Sequence, residues 1–177
     1  MERDDTALVV VDMQNCFIPV ISNIKEVISS AEKAIKGFKV LEMPVIATEQ
    51  YPKGLGTTVN EISGLLETEP LEKIHFSCFG EKDFVDRLKK FNVKNLAILG
   101  IETHVCVFNT ALDALNRGYA PHVIVDAVAS RKRIDHESSL KRMTQEGVYL
   151  TTVETLLFQL LQKAGTSEFK AISKLIK

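Results

Sequence analysis

The stretch Gly100-Ile101-Glu102-Thr103-His104-Val105-Cys106-Val107 decides the fold. It follows an apolar run over residues 95–99, typical of a buried parallel strand, and it precedes apolar residues at helical spacing. Gly100 indicates a turn between the two. We therefore expect Cys106 where a strand gives way to a helix. In open α/β sheets this edge, at the carboxyl ends of the strands, binds ligands.

Cys106 has two interpretations at such a position. A helix N-terminus favours negative charge and so favours a reactive thiolate. Most free cysteines, however, are small buried hydrophobic residues. The position of Cys106 alone leaves both interpretations open.

The composition of the whole chain argues for a globular protein and against nucleic-acid-binding and membrane-spanning classes. The 177 residues are expected to form one domain, residues 1–177, and the 45% hydrophobic and 25% charged fractions are ordinary for a globular protein. A net charge of −1 gives no broad basic surface for nucleic acid. No apolar run approaches the ~20 residues that cross a bilayer. The charged start and three cysteines without C-x-x-C spacing predict a cytoplasmic protein without disulfides, a zinc site or a membrane anchor.

Strand and helix patterns alternate along the chain. Strands are expected at residues 6–11, 44–48, 95–99, 121–125 and 148–152, with a weaker one within 72–79. Short helical turns are expected within residues 59–72. Longer helices are expected between the strands, with Ser22 or Asn23, Asp135 and Ser167 as candidate caps. This alternation predicts a parallel sheet covered by helices on both faces.

Asp12 and Lys73 give the reactive interpretation of Cys106 more weight. Asp12 ends the first strand, so it shares the edge of a parallel sheet with Cys106. Taken singly, a carboxylate there is often structural and a lysine is usually a solvated surface residue. Together, an ammonium that favours the thiolate and a carboxylate that moves the proton make a nucleophilic hydrolase site. Such a site needs neither histidine nor metal.

Three motifs carry a family resemblance. Val9-Val10-Val11-Asp12-Met13-Gln14-Asn15, the lysine at position 73 and the stretch around Cys106 resemble the isochorismatase-like superfamily of cysteine hydrolases. The resemblance extends nearly the whole chain, to residue 158. The loop of residues 48–56 is similar to the branch called isochorismatase domain-containing proteins. The resemblance implies a three-layer α/β/α fold, Rossmann-like, with a six-stranded, mostly parallel sheet.

The same resemblance implies roles for individual residues. Asp12 is the general base and acid, Lys73 stabilises the thiolate and Cys106 is the nucleophile. A cis peptide is implied between Ile101 and Glu102. It aims the backbone amides of Glu102 and Cys106 into an oxyanion hole.

This chain differs from other members of the superfamily at positions that limit which reaction we expect it to catalyse. Nicotinamidases hold a metal through an Asp-x-His pair after the second strand, where this chain has Glu49-Gln50-Tyr51 and no histidine before His75. We therefore expect no metal and no cofactor. Isochorismatases that cleave an enol ether generally lack the cysteine. Cys106 therefore favours an amide or a related C–N bond.

The other histidines and cysteines are expected to be non-catalytic. His104 lies two residues before Cys106, but positions that close on a helical turn point in different directions. The remaining residues lack ligand spacing or are expected to pack in the core: His75, His122, His136, Cys16 and Cys78.

Four residues are candidates for substrate binding. Gln14 and Gln50 either contact substrate or bond a loop backbone. Phe17 and Tyr51 either wall the pocket or belong to the core.

Two functions stay open at this point. The first is a hydrolase that forms a thioester acyl-enzyme with a small-molecule substrate. The second is a non-catalytic ligand- or partner-binding protein with the same fold. The resemblance and the apolar residues of the last segment, Phe169, Ile172, Leu175 and Ile176, predict a homo-oligomer, a dimer or a tetramer. The alternative is that this last helix folds back on its own domain.

Overall fold

Six strands form one sheet in the computed structural model, which describes residues 1–177. They are β1 (Thr6–Val11), β2 (Val45–Gln50), β3 (Leu71–Lys73), β4 (Asn95–Ile101), β5 (Ala120–Ala129) and β6 (Tyr149–Thr151). Their order is β3-β2-β1-β4-β5-β6, and every neighbouring pair is parallel. The expected six-stranded sheet is thus confirmed, and it is parallel throughout.

Helices cover both faces of this sheet. They are α1 (Ile24–Val40), α2 (Pro52–Leu55), α3 (Asn60–Ser63), α4 (Lys82–Lys89), α5 (Phe108–Asn116), α6 (Arg133–Glu146), α7 (Val153–Leu161) and α8 (Ser167–Ile176). The buried side chains of α1, α3, α7 and α8 belong to one hydrophobic cluster. Those of α4, α5 and α6 belong to a second cluster. The three-layer α/β/α architecture is confirmed.

Strand β1 lies at the centre of the sheet and is buried along its whole length. Its side chains alternate between the two faces, so Leu8 and Val10 join the first cluster while Val9 and Val11 join the second. A strand buried on both faces is mostly apolar, and after Thr6 every residue of β1 is apolar. The polar residue that follows it, Asp12, therefore marks the edge of the sheet.

Gly100 lets the ends of β1 and β4 approach each other closely. It pairs with Val11, has a φ of 129°, and a Cβ atom there would lie 1.9 Å from the carbonyl oxygen of Val11. Only glycine fits that backbone and that contact. The close approach brings Asp12 and the turn after β4 to the same edge.

Two expected strands have different bounds. The weak strand expected within residues 72–79 is limited to β3, because Ser77 caps a 3-10 turn by accepting a hydrogen bond from the backbone N–H of Phe79. Strand β5 does not end at Asp126 but continues to Ala129. The Asp126 carboxylate instead accepts a hydrogen bond of 3.0 Å from the backbone N–H of Val153, the first residue of α7.

Helix caps also differ in part from expectation. Asn23, one of the two candidates, occupies the N-cap position of α1, but its side chain makes no capping hydrogen bond. Asp135 was expected to cap α6, but that helix begins at Arg133 and Asp135 lies in its first turn. Thr166 rather than Ser167 caps α8, because its side chain accepts a hydrogen bond from the backbone N–H of Phe169.

The last helix, α8, folds back on its own chain. Ile172 is fully buried in the first cluster, Ile176 packs against that cluster, and the Lys33 ammonium on α1 donates a hydrogen bond of 3.2 Å to the carbonyl of Ile176. The apolar residues of α8 therefore do not support the expected homo-oligomer. Among all these helices, none combines the length and the apolar character needed to cross a membrane.

Candidate active site

Asp12, Lys73 and Cys106 lie at or just beyond the carboxyl ends of three different strands. Asp12 follows β1, Lys73 is the last residue of β3, and Cys106 lies in a π-helical turn, Thr103–Val107, between β4 and α5. All three are buried. Parallel strands place their carboxyl ends at one edge, and the structure brings these three residues together there.

Lys73 and Asp12 form an ion pair that is shielded from solvent. The Lys73 Nζ atom lies 2.7 Å from Asp12 Oδ2, and the two side chains are 0% and 1% exposed. Lys73 also donates hydrogen bonds to Gln50 Oε1 at 2.6 Å and to the carbonyls of His75 and Phe76. Burial alone would lower the pKa of Lys73, but the negative charge of Asp12 outweighs it and the pKa is raised. Lys73 therefore stays an ammonium.

Cys106 holds its proton at rest. Its Sγ atom lies 3.8 Å from Gln50 Oε1, the same oxygen that Lys73 contacts. Burial and the charge of Asp12 raise the pKa of Cys106, and Lys73 opposes them without cancelling them. Lys73 thus favours the thiolate, as expected, but burial outweighs it, because removing the anion from water costs more. Attack by this sulfur requires a base that takes the proton.

The turn that carries Cys106 is held by Glu102. The peptide bond between Ile101 and Glu102 is cis. Glu102 Oε1 accepts hydrogen bonds from Arg131, at 3.1 Å from its backbone N–H and 2.8 Å from Nε. Burial would raise the pKa of Glu102, but the hydrogen bonds from Arg131 lower it overall. The residues expected to form the oxyanion hole, Glu102 and Cys106, thus lie in one tethered turn.

His104 is engaged away from the thiol. Its Nδ1 atom lies 3.0 Å from Ser130 Oγ and its Nε2 atom 3.9 Å from Asp135 Oδ2. The next histidine, His136, lies 3.0 Å from Thr103 Oγ1 through its own Nδ1. No group of three or more His, Cys, Asp or Glu residues is arranged to hold a metal ion.

The two glutamines have different surroundings. Gln14 accepts a hydrogen bond from the backbone N–H of Gln50 and donates to the carbonyls of Gln50 and Gly56. Gln14 therefore bonds the backbone of a loop, which is one of the two roles expected for it. Gln50 lies inside the site, between the ammonium of Lys73 and the thiol of Cys106.

The two aromatic candidates, Tyr51 and Phe17, also have different surroundings. Tyr51 is 56% exposed and lines a pocket of about 390 Å³ together with Pro52, Lys53, Glu72, Lys73, Ile74 and Glu81. Phe17 packs against the first hydrophobic cluster, whereas Cys106 belongs to the second. Tyr51 therefore walls a pocket beside the site, and Phe17 packs against the core.

Thr48 is a site residue that the sequence interpretation missed. Its hydroxyl donates a hydrogen bond of 2.8 Å to Asp12 Oδ1 and lies 3.8 Å from the sulfur of Cys78. Cys78 was expected only to pack, and it is fully buried. Burial and the charge of Asp12 raise the pKa of Cys78 to about 11. The available signal was topological, since Thr48 stands near the carboxyl end of β2 and pairs with Val11 of β1.

Comparison with known proteins gives a consistent family. A family model described as Isochorismatase domain matches residues 6–155. Isochorismatase domain-containing protein 2A of Mus musculus is 39% identical over 176 residues, covering 98% of this chain and 84% of the relative.

Two solved structures extend the comparison. One described as Mar1 ribonuclease from Caenorhabditis elegans has a TM-score of 0.94 and 39% identity, and the match covers 99% of this chain and 91% of the other. The ycaC gene product of Escherichia coli, described as an octameric hydrolase of unknown specificity, has a TM-score of 0.92 and 23% identity over 99% of this chain and 89% of the other. At that identity the likeness shows the fold alone.

Proposed function

This chain belongs to the isochorismatase family, and from that premise we propose that it is a hydrolase of a small-molecule amide or related C–N bond. The reaction proceeds through a thioester on Cys106. The observation that carries the proposal is the solvent-shielded pair of Lys73 and Asp12 next to a protonated thiol. A buried ion pair is weak evidence for stability, because desolvation offsets much of its attraction. Its position beside a nucleophilic atom supports a catalytic role.

The first half-reaction forms the acyl-enzyme. Asp12 removes the thiol proton as the Cys106 sulfur attacks the substrate carbonyl carbon. The carbonyl oxygen becomes an oxyanion held by the backbone N–H groups of Glu102 and Cys106. The C–N bond then breaks, and Asp12 returns the proton to the leaving nitrogen.

The second half-reaction releases the acid. Asp12, again a carboxylate, takes a proton from water as the water oxygen attacks the thioester carbon. The C–S bond breaks and the sulfur regains its proton from Asp12. The balance is one amide and one water consumed, and one carboxylic acid and one amine formed.

Lys73 and Gln50 help to stabilise the negative charge that forms on the sulfur in these steps. The ammonium opposes the rise in the pKa of Cys106 and so stabilises negative charge on sulfur during attack. Gln50 Oε1 accepts a hydrogen bond from Lys73 and lies near the sulfur. It therefore helps to hold the ammonium beside Asp12.

Acyl-enzyme trapping tests this proposal. The purified chain is incubated with a library of small carboxamides, quenched in acid and mapped by peptide mass spectrometry. We expect an acyl mass on the peptide that contains Cys106, absent from Cys106→Ala and retained in Cys16→Ala as the matched control. Binding of a carboxamide without any adduct or hydrolysis would favour the alternative, a non-catalytic ligand- or partner-binding protein.

Ribonuclease activity is a second candidate, favoured by the description of the Caenorhabditis elegans relative. The net charge of −1 argues against it, because RNA binding relies on basic surface. Incubation of labelled RNA with this chain and with Cys106→Ala decides the point. We expect no cleavage that depends on Cys106.

Three expectations remain proposals: one domain over residues 1–177, a cytoplasmic location and a homo-oligomer. The Escherichia coli protein described as octameric supports assembly in this fold. A single cooperative urea transition would support one domain. Cell fractionation would test the location.

A further inference from the structure

We infer that Thr48 is a positioning residue for the proton transfer, an inference that rests on the proposed function. Its hydroxyl holds one oxygen of the Asp12 carboxylate and leaves the other for the thiol proton. The inference starts from the two oxygens of Asp12, which have different partners. Oδ1 receives the 2.8 Å hydrogen bond from Thr48, whereas Oδ2 faces the Lys73 ammonium at 2.7 Å and accepts no aligned hydrogen bond.

The direction of the hydrogen bond follows from the chemistry of its members. An ionised carboxylate has no hydrogen to give, so the Thr48 hydroxyl must donate to Asp12. Cys78 keeps its hydrogen at neutral pH, because burial and the charge of Asp12 raise its pKa to about 11. The thiol of Cys78 can therefore donate to the Thr48 oxygen, and the single Thr48 hydrogen stays committed to Asp12.

The consequence is that Thr48 holds the Asp12 carboxylate in one orientation, with Oδ1 bound to the hydroxyl and Oδ2 toward the Lys73 ammonium. The other titratable groups that act on Asp12 are Lys73 at the end of β3, Cys78 in the turn that follows, and Cys106 in the turn after β4. Loss of the Thr48 hydroxyl leaves Oδ1 of Asp12 buried without its hydrogen-bond donor.

The test follows alkylation of Cys106 by iodoacetamide against pH, read on the peptide that contains it. In the wild-type chain, labelling is expected to rise with pH, because the sulfur is alkylated after it has lost its proton. Thr48→Val keeps the volume and removes the hydroxyl, so the carboxylate that takes this proton is no longer held in place, and we expect the midpoint of the rise to move up by about one pH unit. Thr48→Ser keeps the hydroxyl and should restore the wild-type midpoint.

Thr6→Val is the matched control, since Thr6 is equally buried at the opposite end of the sheet and its hydroxyl donates to the carbonyl of Glu2. Its midpoint should stay at the wild-type pH. If Thr48→Val does not fold, Thr48→Ala replaces it in the same comparison.

Three results would overturn the inference. A Thr48→Val profile that coincides with the wild-type profile would leave Thr48 a packing residue. A shift in Thr48→Ser as large as that in Thr48→Val would show that the hydroxyl is not responsible. An Asp12→Asn profile that coincides with the wild-type profile would remove Asp12 as the base, and both this inference and the proposed mechanism would fail.

Discussion

Replacing Lys73 by methionine should destabilise the protein strongly, because it leaves the carboxylate of Asp12 buried without its counter-ion. The two side chains are 0% and 1% exposed, so solvent cannot replace the lost partner. Removing one member of such a pair costs about 3–5 kcal/mol, which lowers the Tm of a protein of this size by about 6–20 °C. The three further acceptors of Lys73 lose their donor as well, which places the expected loss in the upper part of this range.

The assay is urea unfolding of four chains at pH 7: wild type, Lys73→Met, Asp12→Asn and the double variant. Asparagine tolerates the positive φ of 51° at position 12. We expect the double variant to be more stable than Lys73→Met, because the unpaired charge is gone. The matched control is Lys82→Met, where an exposed lysine loses its pair with Asp86 and little should change.

The stability difference between wild type and Lys73→Met should decrease at alkaline pH. The pKa of Lys73 is raised above 10.5 in the folded protein. Its contribution to stability is therefore complete below pH 10.5 and is lost as the pH rises through the folded value. The difference in unfolding free energy between wild type and Lys73→Met should shrink in that alkaline range. A Lys73→Met chain as stable as wild type at pH 7 would refute the reasoning.

Further predictions concern the strand contact, the thiols, the metal and the assembly. Gly100→Ala should fail to give folded protein, because its Cβ would lie 1.9 Å from the Val11 carbonyl oxygen; a native circular dichroism spectrum would contradict this. Limited iodoacetamide treatment should label Cys106 before Cys16 and Cys78, because Asp12 beside Cys106 takes its proton as the sulfur attacks; peptide mapping checks the order. A chelator should leave hydrolysis unchanged, so activity lost to chelation and regained with zinc would count against a metal-free site. Light scattering at micromolar concentration should give a mass above 19.7 kDa, and a monomer mass would exclude the homo-oligomer.

The sheet could be predicted from the sequence because its strands are strongly patterned. Residues 6–11 are apolar on both faces, and this predicts a central parallel strand directly. The caps of α6 and α8 were harder to predict, since Asp135, Thr166 and Ser167 are all good capping types and only the backbone path selects among them.

Asp12, Lys73 and Cys106 of the candidate site were predictable from the sequence, whereas Thr48 was not. Asp12 and Lys73 are unusual at the ends of buried strands, so their residue types attract attention. Thr48 is an ordinary strand residue, and its role depends on a 2.8 Å contact that sequence does not encode locally. The raised pKa of Cys106 was also not predictable, because sequence gives the nearby charges but not the burial that outweighs the effect of Lys73.

The measurement that tests the central claim most directly is kcat/KM for Asp12→Asn, Cys106→Ala and their double variant on an amide that the wild-type chain hydrolyses. If the two residues act as one catalytic unit, Asp12→Asn alone should lose about 10²–10⁴-fold. Added to Cys106→Ala, it should change the remaining rate little. Independent effects that multiply in the double variant would show that Asp12 does not serve the Cys106 sulfur, and would contradict the account.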